Sequence, residues 1–300
     1  MNKNGLVIVN KPEGITSHTA VRIVRRLYGV DKAGHTGTLD PLATGVLPVL
    51  IGRGVKASEY LTESDKHYIA VMTLGLTTDT EDITGNVLTR SDDIPSHDRV
   101  LRATKSFIGE LDQVPPMYSA VRVGGKRLMQ LAREGITVER EPRRITVYRL
   151  EAVMLSEREY SLDVVCSKGT YIRTLCADIG AALGCGAVMS ALCRAETCGY
   201  DLSRAHTPAE LEAMTDAERD AAVIPLAEMF GHYPAVTLAP FFIHLTKNGL
   251  GVDTRKLGRL PATRIGERLR LFDEAGEFYA LAELTEGEGN ETLLRPIKHF

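Results

Sequence analysis

The sequence predicts an α/β chain followed by a smaller β-rich module, and three features carry that reading. Short apolar runs such as Leu6–Val9 and Val46–Ile51 are bounded by turn residues and read as buried strands. They alternate with stretches of helical spacing, as where apolar Ile172, Leu175, Cys176, Ile179 and Leu183 recur every three or four positions. Near residue 233 the pattern changes: helical signals almost vanish and short strands follow, at Arg268–Phe272 and Phe278–Leu284. This divides the chain into 1–232 and 233–300, with Gly231–Pro234 as a linker.

The elements follow in order. Leu6–Val9 ends at the turn-like Lys11-Pro12-Glu13-Gly14. Ser17 is placed to cap a helix that carries Val21, Val24, Leu27 and Tyr28 on one side and closes at Gly29. A glycine-rich stretch, residues 33–45, precedes the apolar Val46–Ile51. Tyr68–Leu76 reads as a strand, Thr77–Gly85 as an acidic loop and Arg99–Ile108 as a helix. Gly124-Gly125 between Val121–Val123 and Lys126–Leu128 signals a two-residue hairpin. Ile145–Leu150 and Ser161–Cys166 are strand candidates, and Gly184 ends the helix that follows. Thr207-Pro208-Ala209-Glu210 has the form of a capping box with proline at the first helical position.

Composition limits the function classes. Three hundred residues, 44% hydrophobic and 25% charged, suit a globular chain that needs neither disulfide nor metal to fold. No apolar run approaches the ~18 residues of a spanning helix, and the N-terminus lacks a signal-peptide core, so a cytoplasmic protein is expected. The five cysteines show no zinc spacing and are expected as reduced thiols. Net charge is −3, but it is segregated. Residues 117–149 hold eight Lys/Arg against three Asp/Glu, and residues 207–230 hold one against six. The basic stretch suits either a solvated face or a polyanion contact. Searches for zinc, nucleophile-elbow, phosphate-loop and dinucleotide motifs fail, leaving no expectation of metal or cofactor.

The chemical signal lies between Gly34 and Gly45. Its three glycines permit close backbone approaches, and Pro41 steers Asp40 toward an extended conformation, so the carboxylate sits on a turn. Taken alone, this could equally be a connecting turn. The whole string, Gly34-His35-Thr36-Gly37-Thr38-Leu39-Asp40-Pro41-Leu42-Ala43-Thr44-Gly45, resembles the signature of the TruB-type tRNA pseudouridine synthases. Four more stretches match that family in order: Asn10–Ser17, Ser64–Tyr68, Pro116–Ala120 and Ser167–Arg173.

The resemblance implies a mixed, largely antiparallel sheet with packed helices, a PUA-like C-terminal domain, and an enzyme that isomerises uridine 55 in the tRNA T-loop. Asp40, Tyr68 and Arg173 are then the expected catalytic residues. Asp40 would attack C1′ or remove the C2′ proton, working from a dry pocket. Arg173 would pair with it, and Tyr68 would stack on the flipped base. His35, Tyr171, Leu192, Lys11 and Lys66 are expected to bind the substrate, with His35 filling the place that the base leaves. The family carries an inserted arm at about 116–142 that grips the T stem-loop. Arg122, Lys126, Arg127, Arg133, Arg143 and Arg144 are the expected phosphate contacts. A monomer without cofactor is implied. Cys193 and Met129 depart from the family's usual arginine and aromatic residue. A non-catalytic RNA-binding protein and a guide-dependent synthase are the competing readings.

Overall fold

The computed structural model describes residues 3–258, 260–262 and 264–300. Its main elements are β1 (Gly5–Lys11), α1 (Ser17–Leu27), β2 (Thr44–Ile51), β3 (Lys66–Leu74), α2 (His97–Lys105), β4 (Gly109–Gln113), β5 (Arg143–Met154), β6 (Glu159–Cys166), α3 (Ile172–Leu183) and β7 (Ala187–Thr197). The large sheet runs β1-β2-β7-β3-β6-β5-β4, with Ile224–Pro225 paired outside β1. Its strands pair antiparallel except β2 with β7, which run parallel where Thr44 meets Cys193 and Gly45 meets Arg194. The sheet is therefore mixed and largely antiparallel.

Alternation decides which face each strand buries. In β3, Tyr68, Ala70, Met72 and Leu74 point into the main core while the residues between them are half-exposed. α1 contributes Ala20, Val21 and Val24 to that core, and α3 contributes Leu175, Cys176 and Ile179. Each fully buried aliphatic side chain there stabilises the fold by roughly 1.5–3 kcal/mol. β1 is buried on both faces. Val7 and Val9 enter the main core, while Leu6 and Ile8 join a second cluster with Phe230, Leu281 and Phe300. That double burial explains why Leu6–Val9 is apolar without alternation.

The second cluster is the seam to the C-terminal sheet, in which Arg268–Phe272, Phe278–Glu286 and Thr292–His299 form an antiparallel meander. Phe230 stands in the seam, its ring centroid 5.4 Å from that of Phe300 and 6.0 Å from that of Phe278.

Several sequence expectations need correction. Thr16, not Ser17, caps α1: its hydroxyl accepts from the Thr19 N–H at 3.0 Å, which frees Ser17 for another task. Strand β3 ends at Leu74, because Gly75 (φ +88) breaks the run before Leu76. A helix, Pro240–Lys247, interrupts the β-rich C-terminal region, and another, Leu128–Arg133, follows the arm hairpin. β4 and β7 carry no strand signal that the reading used. The hairpin stands as expected, with φ +58 at Gly124 and +85 at Gly125.

Candidate active site

Asp40 lies on a turn between Ala33–His35 and β2, and five separate contacts hold that turn. The Ser17 hydroxyl accepts from the Leu39 N–H at 2.8 Å and donates to the Leu39 carbonyl at 2.9 Å. The Pro41 carbonyl accepts from the Gly14 N–H at 2.8 Å and from Lys11 Nζ at 3.3 Å. Arg194 donates from Nη2 to the Gly37 carbonyl at 3.1 Å. At the end of the stretch Gly45 (φ +100) presses on β7 so closely that a Cβ there would sit 2.3 Å from the Arg194 carbonyl oxygen. Only glycine fits this crossing from loop to parallel pairing.

Arg173, in the first turn of α3, meets Asp40 with Nε 3.0 Å from Oδ2. Its other nitrogens are also placed: Nη1 donates to the Thr80 carbonyl at 3.0 Å, and Nη2 donates to the Tyr118 carbonyl at 2.9 Å. Asp82 Oδ2 stands 4.0 Å from Nη1. Asp82 is itself fixed by the Thr80 and Thr84 hydroxyls, at 2.8 and 2.6 Å. Thus one buried guanidinium spends its donors on a carboxylate and two carbonyls, a geometry that lysine cannot reproduce. The Asp40 side chain remains 38% exposed against 6% for Arg173. The carboxylate is therefore partly open to solvent and not enclosed in the dry pocket expected.

Tyr68 lies on β3 directly across from Arg194 of β7, so both side chains leave the same face. Burial pushes the Tyr68 phenol up, while the neighbouring Arg194 pulls it down by charge and hydrogen bonding. Leu192, two residues before Arg194, is buried on that face and pairs with Ala70. Tyr171 caps α3 two residues before Arg173 and is half-buried. Asp40, Arg173, Tyr68, Tyr171 and Leu192 thus belong to segments that meet at one end of the sheet.

Of the three other expected substrate residues, Lys11 runs against the expectation. Lys11 is fully enclosed, its ammonium donating to the Pro12 and Ile15 carbonyls at 2.8 Å each as well as to Pro41. It braces the Asp40 turn and presents nothing to a ligand. Burial pushes it down to about 8, against the opposing pull of Asp40 and Glu13. Lys66 lines a separate polar cavity of about 370 Å³ with Asp65, His67, Arg149, Val165 and Glu196. His35 is half-buried, with burial and then the Arg194 and His18 charges holding its imidazole below the usual range, and its buried Nδ1 has no partner.

On the arm, Arg122, Lys126, Arg127 and Arg133 are exposed. Arg143 and Arg144 lie instead at the start of β5. Arg144 pairs with Glu110 at 3.0 Å and Asp112 at 3.1 Å across the β4–β5 pairing, and on the arm Lys126 pairs with Glu134 at 3.4 Å, all of these side chains being exposed. Arg194 is a residue beside Asp40's loop and Tyr68 that the sequence expectations leave out. It is 1% exposed and also donates from Nε to the Val46 carbonyl at 2.7 Å. A lone arginine in the otherwise buried positions of an apolar stretch was the available signal. Among the described residues no three His, Cys, Asp or Glu side chains converge as a metal site.

Comparison with known proteins decides the family. Residues 25–172 match the model described as TruB family pseudouridylate synthase (N terminal domain). Residues 173–230 match the tRNA pseudouridylate synthase B C-terminal domain. tRNA pseudouridine synthase B of Syntrophotalea carbinolica is 44% identical over 299 residues, 97% of each chain. The chain belongs to the TruB family of pseudouridylate synthases. A second TruB relative, tRNA pseudouridine synthase B of Alkaliphilus oremlandii, is 48% identical over 215 residues, 72% of each chain. Among solved structures, a Cbf5-Nop10-Gar1 complex contains a chain similar to this TruB-family fold. That chain has a TM-score of 0.72 and 26% identity, over 99% of this chain and 85% of that one. An H/ACA RNP bound to a substrate RNA containing 2′-deoxyuridine shares the fold, with a TM-score of 0.70 and 23% identity over 99% and 84%.

Proposed function

We propose that this chain converts uridine 55 of the tRNA T-loop to pseudouridine, working as a cytoplasmic monomer. The observation that carries this reading is the Asp40–Arg173 pair, 3.0 Å apart, with the guanidinium buried and the carboxylate partly exposed. RNA affinity alone gives no reason to place a carboxylate where phosphates approach. The target base is stacked inside a folded loop and must be flipped before C1′ comes within reach of Asp40. The C1′–N1 bond then breaks, uracil turns, and C1′ joins C5, which gives up its hydrogen as a proton. Asp40 serves either by adding to C1′ or by taking the C2′ proton. Arg173 fixes the carboxylate in one orientation for either route. Tyr68 and Leu192 supply the walls against which the displaced uracil packs.

The exposed cations at Arg122, Lys126, Arg127 and Arg133 suit backbone phosphates of the T stem, and residues 233–300 act as a PUA-like module beside the catalytic domain. Relatives of 44% and 48% identity are named as tRNA enzymes, which favours direct tRNA recognition over a guide complex. The test is a T-arm minihelix carrying tritium at C5 of its uridine. The wild type should release tritium, and Asp40→Asn should release none while still binding RNA. Release by Asp40→Asn at the wild-type rate would sink the reading.

A further inference from the structure

Gln113 is the last residue of β4, immediately before the chain leaves the sheet for the arm, and it is 4% exposed. Its side chain makes two hydrogen bonds to one backbone unit. Oε1 accepts from the Tyr171 N–H at 2.8 Å, and Nε2 donates to the Tyr171 carbonyl at 3.1 Å. The opposite amide orientation would set N–H against N–H, so the network assigns the atoms. Tyr171 is the residue on which α3 begins, and Arg173 follows two positions later. Five residues beyond Gln113, the Tyr118 carbonyl accepts from Arg173 Nη2 at 2.9 Å. Arg140 Nη1 donates to the Pro115 carbonyl at 3.0 Å and closes the two roots of the arm on each other. The segment 113–118 therefore touches the 171–173 turn at both of its ends.

These contacts have a chemical consequence. The direction of the Arg173 side chain is set by the backbone at the start of α3. A backbone unit held by both its N–H and its carbonyl can neither rotate nor slide along the strand end. Glutamine alone fits the position: asparagine is one methylene too short, glutamate lacks the donor, and leucine offers neither bond. From this geometry we infer that Gln113 is a positioning residue for the catalytic centre. It fixes the turn at Tyr171 so that Arg173 reaches Asp40 and the arm-root carbonyl of Tyr118 together. The segment that grips RNA and the guanidinium that orients the carboxylate are thereby one mechanical unit. The inference rests on the reading given under Proposed function and adds to it a residue that touches neither RNA nor the reacting atoms.

The test uses the full-length protein and the C5-tritiated T-arm minihelix in single-turnover reactions, with RNA affinity measured separately. Gln113→Leu keeps the side-chain volume and removes both bonds. Tritium release should fall by about 10- to 100-fold, the usual cost of a misplaced catalytic group, with affinity unchanged. Because the effect passes through Arg173, the same change in an Arg173→Lys background should cost little more. A full repeat of the loss in that background, or a weaker affinity with an unchanged rate, would overturn the inference. Should Gln113→Leu fail to fold, Gln113→Glu keeps the acceptor for the Tyr171 N–H and should give an intermediate rate; a wild-type rate there overturns it as well. Asp40→Asn is run alongside. Activity in that variant would refute the proposed function and not the role of Gln113.

Discussion

Replacing Lys11 by methionine should change the pH dependence of stability in a calculable way. The side chain is completely enclosed, and its ammonium is spent on three carbonyls. Burial lowers it from 10.5 to about 8, and the charges of Asp40 and Glu13 only partly offset that fall. At 1.36 kcal/mol per decade the fall amounts to about 3 kcal/mol. Below about pH 8 both folded and unfolded chains hold the proton, and the folded state bears the whole cost. Between that point and 10.5 only the unfolded chain binds it, so unfolding becomes harder as pH rises. Methionine fills a similar volume and does not titrate. Urea unfolding of both proteins at about pH 7 and about pH 10 should show wild type gaining on Lys11→Met by about 2–3 kcal/mol. A difference that stays flat or shrinks would mean that the ammonium is hydrated, and that the Asp40 turn is not braced as described.

Two further outcomes follow from the arm and from the loop crossing. Changing Arg122, Lys126 and Arg127 together to alanine should weaken minihelix binding and lower the slope of log affinity against log salt by about 2–3, with the rate at saturating RNA preserved. An unchanged slope would place the phosphate contacts elsewhere. Gly45→Ala puts a methyl group 2.3 Å from the Arg194 carbonyl oxygen at a backbone angle hostile to alanine. It should cost more than about 3 kcal/mol in urea unfolding, and a wild-type midpoint would refute the close crossing.

Much of the frame was legible because its signals are local. Ile172–Leu183 keeps helical spacing, Gly124-Gly125 carries the hairpin, and Thr207 with Glu210 forms the capping box in which each side chain bonds the other's backbone. β7 was not legible, though it sits in the middle of the sheet. Two register breaks, between Met189 and Ala191 and between Arg194 and Glu196, interrupt the period-two pattern by which a strand is recognised. The helix Pro240–Lys247 escaped for another reason: its apolar Phe241 lies exposed, so its composition follows no buried stripe. At the candidate site, the family motif picked out Asp40 and Arg173, which the structure pairs at 3.0 Å, and Tyr68, which lies across from Arg194. Motif matching could not separate side chains that meet Asp40 from those that hold its loop, so Lys11 was read as a ligand and Arg194 was passed over. What distinguishes these tasks is the hydrogen-bond partners: Lys11 and Arg194 donate to loop and strand carbonyls, whereas Arg173 also meets the Asp40 carboxylate.

The cage around the Arg173 guanidinium is drawn from the neighbourhoods of residues 40, 80, 118 and 173, which the chain brings together from nearly half its length. No short contiguous fragment contains it. A partly assembled intermediate can possess most of the sheet and still lack a competent centre, because contacts of such wide separation close late. In a refolding or synthesis time course, turnover would mark completion of this protein, whereas circular dichroism marks its beginning.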